Sequence, residues 1–267
     1  MVEDTVIPWL RSLGGSDEVY VARTFQTFGV TESGLDELVA GAVEPAEGRV
    51  SFRASFPEVS VRVVVRGRAG EVDARADTVG ARLRDRIGAF VYGEGAVTME
   101  EVVGRLLAER GWTVALAESC TGGLVGHRLT NVPGSSAYLR GSVVAYANAA
   151  KQSLLGVSPE TLARHGAVSE ETAAEMALGA RRAFGTSVGI STTGIAGPDG
   201  GTAEKPVGTV CFGLAADGVT LTRRYQLWGT RDWVKLLASQ VALDWLRRHA
   251  LGLPVTESQA FRARPRT

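Results

Sequence analysis

The spacing of apolar residues changes once along this chain, and that change constrains the fold more than any other feature. In EVSVRVVVRG, Val59, Val61, Val63 and Val65 alternate with mostly polar neighbours, the pattern of a strand with one face buried. In WTVALAE, residues 112–118, the apolar run is nearly continuous, the pattern of a strand covered on both faces. The first texture predicts an antiparallel sheet carrying helices. The second predicts a parallel or mixed sheet between two helical layers. The switch falls at Gly93-Glu94-Gly95-Ala96.

Ahead of that switch, residues 19–92 read as β-α-β-β-α-β. VYVARTFQTFG is strand-like, and Thr31 is placed to cap a helix over TESGLDELVAGA. RVSFRAS and the valine-rich strand follow, then a helical EVDARADTVGARLRDRIG and a short final strand in AFVYG. Beyond the switch, Thr98 and Glu101 stand at capping-box spacing before VVGRLLAERG, and Gly111 is positioned to end that helix. Helices LVGHRLTNV, SPETLARHG and SEETAAEMALGARRAFG then alternate with strands GSVVAYA, SVGISTTG, GTVCFGLAA and VTLTRRYQLWG. RDWVKLLASQVALDWLRRHA is expected as a long amphipathic helix. The fold class is therefore α/β. A three-layer domain with a mixed or mostly parallel sheet spans 96–252, a small α+β domain spans 1–95, and 253–267 form a polar tail expected to be flexible.

Composition narrows the function. Apolar residues make up 45% of the 267 and charged residues 22%, which fits a soluble globular protein, and Lys plus Arg balance Asp plus Glu at 29 each. That balance gives no general attraction to nucleic acid or anionic membrane. MVEDTVIPWL lacks a basic n-region and a long apolar core, so no signal peptide is expected, and no apolar run is long enough to span a bilayer. Cys120 and Cys211 form no pairing framework, which points to a reducing, cytoplasmic setting. His127, His165 and His249 are scattered, with no metal-ligand spacing.

Ligands in open α/β sheets collect at the carboxyl ends of strands. Three such stretches carry chemistry here: Glu118-Ser119-Cys120-Thr121-Gly122-Gly123, Tyr146 to Lys151, and Thr192-Thr193-Gly194-Ile195-Ala196-Gly197-Pro198-Asp199-Gly200-Gly201. None matches a P-loop or a dinucleotide fingerprint. None holds a histidine, so a Ser-His-Asp arrangement is not expected. A lysine with a lowered pKa can serve as base instead. The residues alone point to an acyl-transfer hydrolase, with backbone N–H groups from Thr121 to Gly123 holding an oxyanion or a phosphate. They do not choose between Ser119 and Cys120.

AESCTGG, VPGSSAYLRGSVVAYANAAK, HGAVSEETAAEMALGAR and TTGIAGPDGG with EKPVGTV together resemble the C-terminal, nicotinamide-nucleotide amidohydrolase domain of the CinA family, over residues 96–252. RTFQTFGVTESGLDELV and the strands through VRVVVRG resemble the KH-type middle domain of that family. The family's first, molybdopterin-binding-like domain has no room in this chain, and DTVIPWLRSLGG is expected as its trailing helix. The resemblance implies hydrolysis of the carboxamide of nicotinamide mononucleotide to nicotinic acid mononucleotide and ammonia, with no metal or other cofactor, in a homodimer. It implies Ser119 as nucleophile, Lys151 as general base and Tyr146 as their companion, relaying the proton. Thr121, Gly122 and Gly123 are expected to line the site. Ser136, Arg140, Asn148, Thr193, Gly194, Ala196 and Gly197 are expected to contact phosphate, ribose or base. The chain reads YANAAK where the family commonly reads YSNEAK, keeping the Tyr, Asn and Lys.

Two other functions compete with the hydrolase. A scaffold without activity would have no need of Ser119, Tyr146 and Lys151, although Trp228, Trp233 and Trp245 could anchor an interface between copies. Nucleic-acid binding is opposed by charge: residues 1–96 carry 11 Arg and no Lys against 15 Asp and Glu, a net of −4. The one GxxG there, Gly67-Arg68-Ala69-Gly70, falls between a strand and a helix, whereas a nucleic-acid-binding KH domain carries it between two helices.

Overall fold

A computed structural model of the protein describes residues 2–9 and 18–256. Residues 10–15 of the expected trailing helix, and residues 257–267 of the expected tail, lie outside the described residues.

The amino-terminal region is built on β1 (Glu18–Thr27), α1 (Glu32–Val39), β2 (Gly48–Ser55), β3 (Glu58–Arg68), α2 (Val72–Ile87) and β4 (Val91–Glu94). All strand pairs are antiparallel, in the order β2-β3-β1-β4. The alternation seen in the sequence has a direct physical result. Val61, Val63 and Val65 are buried together with Leu35 and Val39 of α1 and with Val72, Ala76, Val79, Leu83 and Ile87 of α2. The Thr31 hydroxyl accepts from Gly34 N at 3.1 Å and starts α1. Gly67 to Gly70 join β3 to α2, as the sequence indicated.

The larger region follows with α3 (Met99–Glu109), β5 (Val114–Glu118), α4 (Leu124–Thr130), β6 (Leu139–Val144), α5 (Asn148–Leu155), α6 (Pro159–His165), α7 (Glu170–Phe184), β7 (Val188–Gly194), β8 (Thr209–Ala216), β9 (Val219–Gln226) and α8 (Arg231–Leu251). The capping box at Thr98 and Glu101 is formed. Strand order is β6-β5-β7-β8-β9, with β5 parallel to β6 and β7, and β8 and β9 antiparallel, so the sheet is mixed. Val114 and Leu116 face the core shared with α3, α4 and α8, while Ala115 and Ala117 face α5 and α7. These alternating burials make three layers. The alanine side lets helices approach closely. α7 meets the end of α5 at Gly179, where an added Cβ would overlap the Leu155 carbonyl oxygen.

Two expectations need correction. The Tyr146-to-Lys151 stretch is not a loop throughout, because α5 begins at Asn148 and carries Lys151. α8 is not amphipathic in its surroundings: Gln240, Asp244, Arg247 and Arg248 are buried along with its apolar residues. One side packs on the large sheet, where Trp245 meets Phe212 at 5.7 Å and Tyr225 at 6.4 Å. The other side receives the amino-terminal region. Arg247 donates to Val91 O at 3.1 Å and Ala89 O at 2.8 Å, Gln240 donates to Glu58 Oε1 at 2.6 Å, and Trp233 stacks on Phe56 at 4.2 Å. Trp245 is thus a core residue, not an anchor between copies. Among the described residues, no helix is long and apolar enough to cross a membrane.

Candidate active site

Because β5, β6 and β7 run parallel, their carboxyl ends lie side by side, and the residues that follow each strand converge. Ser119 follows β5 directly. Its amide donates to Thr192 O of β7 at 2.9 Å, and on the other side Ala145 N donates to Glu118 O at 2.8 Å. Both neighbouring strands therefore hold the point where β5 ends.

Lys151 is delivered to that point by the first turn of α5. It is 1% exposed, and Ser119 is 8% exposed. Its Nζ lies 3.0 Å from Ser119 Oγ, 2.7 Å from Ala145 O and 3.2 Å from Tyr146 O. Two of these partners are carbonyl oxygens, which only accept. A neutral amine has two N–H bonds, so both can be spent on the carbonyls, leaving the lone pair to face the serine hydroxyl. Burial lowers the Lys151 pKa, which favours that neutral form. Among the described residues, no carboxylate bonds to the amine.

Cys120 is placed differently. It is 5% exposed, and burial pushes its thiol up to about 12. A thiol so far from its thiolate is a poor nucleophile near neutral pH. The structure thus separates two neighbours that the sequence left level.

The glycine pair does not serve as the anion cradle expected of it. Gly122 N donates to Ser119 O at 3.1 Å, and Gly123 N donates to Glu118 Oε2 at 2.9 Å. The buried Thr121 hydroxyl also turns inward, donating to Glu118 Oε2 at 2.7 Å and meeting Thr192 Oγ1 at 2.8 Å. That hydroxyl is committed to the protein interior. Among the described residues, the amides of Cys120 and Thr121 make no backbone–backbone hydrogen bond, although the Cys120 amide meets its own thiol. Those of Gly122 and Gly123 are already engaged, so an oxyanion would have to draw on the former pair.

The remaining candidates divide. Asn148 is exposed at the first position of α5, one turn ahead of Lys151. Gly197 is tied to the same region through Arg231, which donates to its carbonyl at 2.8 Å and to the Tyr146 phenol at 3.1 Å. Thr193 points away, donating to Ala167 O at 2.6 Å on the α7 side. Gly194 is packed on Val210, and Ala196 is buried in the core. Ser136 and Arg140 do not join the group. Leu139 pairs with Val114 at the start of β5, so both lie at the opposite end of the sheet from Ser119, and Arg140 bonds Ser136 O at 3.2 Å. Tyr146 contributes its backbone carbonyl to Lys151, while its exposed phenol accepts from Arg231 at 3.1 Å. The hydroxyl and amine meet directly, leaving no gap for a tyrosine relay.

Sequence reasoning missed Arg231, which ties the Tyr146 phenol to the Gly197 carbonyl. It also missed Lys235, whose Nζ stands 3.9 Å from where a Cβ on Gly122 would sit. Both cations project from the first turns of α8, far along the chain from the other residues, so no local motif could reveal them. Among the described residues, no group of three or more His, Cys, Asp or Glu is placed to hold a metal ion.

Residues 96–250 match the CinA C-terminal domain, and residues 22–93 match the damage-inducible protein CinA KH domain. A CinA-like protein of Geotalea uraniireducens is 43% identical over 96% of this chain and 62% of its own length. Another, from Thermosynechococcus vestitus, is 45% identical over 95% of this chain and 62% of its own. The chain thus spans about three fifths of the length of these curated relatives. Among solved structures, a CinA superfamily protein from Klebsiella pneumoniae 700603 superposes with a TM-score of 0.56 at 34% identity, covering 58% of this chain and 99% of that one. A competence/damage inducible protein from Agrobacterium tumefaciens gives 0.54 at 40% identity over 56% of this chain and 94% of that one. With both regions matched in order, and the mixed five-stranded sheet shared with solved members, the chain belongs to the CinA family.

Proposed function

We propose that this protein hydrolyses the carboxamide of nicotinamide mononucleotide, releasing ammonia and nicotinic acid mononucleotide. One observation carries the reading: a buried lysine with a lowered pKa, two of its N–H bonds fixed on carbonyls, stands 3.0 Å from a serine hydroxyl at the strand ends. That arrangement activates a hydroxyl without histidine or metal.

Ser119 Oγ attacks the amide carbon as Lys151 takes its proton. Charge gathers on the former carbonyl oxygen, where the amides of Cys120 and Thr121 stabilise it. The tetrahedral adduct collapses, the C–N bond breaks, and Lys151 returns the proton to the leaving nitrogen, so ammonia departs. Water then attacks the ester, giving its proton to Lys151, and Ser119 is regained with the proton while the acid leaves. Arg231 and Lys235 supply the positive charge that suits the nucleotide's phosphate. Asn148 and the Gly197 loop flank the ring and ribose.

The test is ammonia release from nicotinamide mononucleotide, with chelator present and with nicotinamide riboside as the phosphate-free comparison. The parent and Cys120→Ala should release ammonia, and Ser119→Ala should not. A live Ser119→Ala beside a dead Cys120→Ala would reverse the assignment. Equal rates on both substrates would remove the phosphate from recognition.

A further inference from the structure

Glu118 takes no part in these steps, yet its carboxylate receives five hydrogen bonds at 1% exposure. Thr121 Oγ1, Gly123 N and Val125 N donate to Oε2 at 2.7, 2.9 and 3.1 Å. Gly126 N and Ser142 Oγ donate to Oε1 at 2.9 and 3.1 Å. We propose that Glu118 is a positioning residue for Ser119: its side chain closes the turn over residues 119–122 and thereby fixes the serine hydroxyl against the lysine amine. The inference rests on the hydrolase reading above.

The geometry argues for it in three ways. First, the turn leaves β5 at Glu118 and re-enters regular structure at α4, and the same side chain bonds the amides on the far side of that gap. The cap of α4 is Gly123, in the left-handed conformation at φ 93° and without a side chain to accept from the helix. Glu118 takes over that duty from the strand behind, filling the end of the helix with an internal anion. Second, every donor on the carboxylate is an amide or a hydroxyl. Its charge is therefore balanced by fixed dipoles of the turn, not by the Lys151 amine, which stays free to be neutral. Third, the backbone links both partners of the dyad to Glu118. Its carbonyl holds Ala145 N, and Ala145 O in turn holds Lys151 Nζ. A shift of the turn therefore moves the hydroxyl relative to an amine whose anchor stays with β6.

Glutamine tests this closely, because it keeps shape while replacing one acceptor oxygen with an NH2. Whichever way the amide turns, at least one backbone N–H meets a donor instead of an acceptor: Gly126 N in one orientation, Gly123 N and Val125 N in the other. We expect Glu118→Gln to lower kcat about tenfold or more with KM nearly unchanged, since misplaced reacting groups lose rate without losing substrate binding. Rates are taken per reactive site, titrated with a fluorophosphonate that phosphonylates Ser119 Oγ with loss of fluoride and is located by mass spectrometry. Glu118→Gln should slow that labelling by a similar factor. If Glu118→Gln does not fold, Thr121→Val removes one donor to the carboxylate, together with the contact to Thr192 Oγ1, and should lower kcat about threefold. Unchanged kcat per labelled site in the folded variant would overturn the proposal, leaving Glu118 a purely structural cap. A parent that labels at Ser119 but does not release ammonia would sink the substrate assignment, and the labelling rates would still decide Glu118. A parent that does neither overturns the hydrolase reading and this inference with it.

Discussion

The two sheets of this protein are built from similar material and reach opposite ends. The amino-terminal sheet is wholly antiparallel, covered by helices on one face, and its connections return at both ends. The larger sheet has three neighbouring parallel strands and is buried on both faces. Parallel pairing forces each connection through a helix and gathers the strand ends on one edge. There Ser119, Lys151 and the Gly197 loop meet, although 78 residues separate the first from the last of them in the chain. The lesson concerns direction more than composition. Burial on two faces concentrates chemistry, and burial on one face leaves a platform that docks through side chains such as Phe56 and Glu58.

If that contrast is right, changes on the large sheet should alter rate and changes at the junction should alter stability. The largest effect is expected from Ser119→Ala, with kcat reduced at least about 10³-fold in the ammonia assay and thermal unfolding near that of the parent. Arg247→Ala should cost about 3 kcal/mol in urea unfolding, because Asp244 and the carbonyls of Ala89 and Val91 lose a buried partner. A collapse of kcat in the folded Arg247→Ala protein would break the division of labour. The third effect is of pH. On the proposed mechanism the neutral Lys151 amine is the active form, and its pKa lies below the ordinary 10.5. Then kcat/KM should fall about tenfold per unit as pH drops below the lowered value and level off above it. A flat acid limb would exclude the amine as base. Smallest is Phe56→Ala, which removes the stack on Trp233 and should cost about 1 kcal/mol in the same urea experiment.

Much of this architecture was legible in the residues. Valine alternation and the continuous WTVALAE run gave the two sheets, and Thr31 and the pair Thr98 with Glu101 gave helix starts that are present as hydrogen bonds. The site was legible as three stretches at strand ends. What escaped has physical causes. α5 begins with Ala147 as its cap and no acidic residue in its first turn, so it carries none of the usual start signals. Ser136 and Arg140 sit close to VVAY in sequence, but a strand of six residues carries them to the other end of the sheet. The role of Glu118 was hidden because a cap is sought at the residue before a helix, and here the acceptor comes from the preceding strand. α8 looked amphipathic because its polar residues are covered by a second region that no local period reports.

The contact between Gly179 and the Leu155 carbonyl reaches further than packing. α5 is short, and the amine rides on its opening turn while α7 presses on its closing one. A single methyl added at position 179 would act as a wedge, tipping that short rod and swinging the amine off its target. The reach of the Lys151 amine is thus governed in part by an absent side chain on a neighbouring helix.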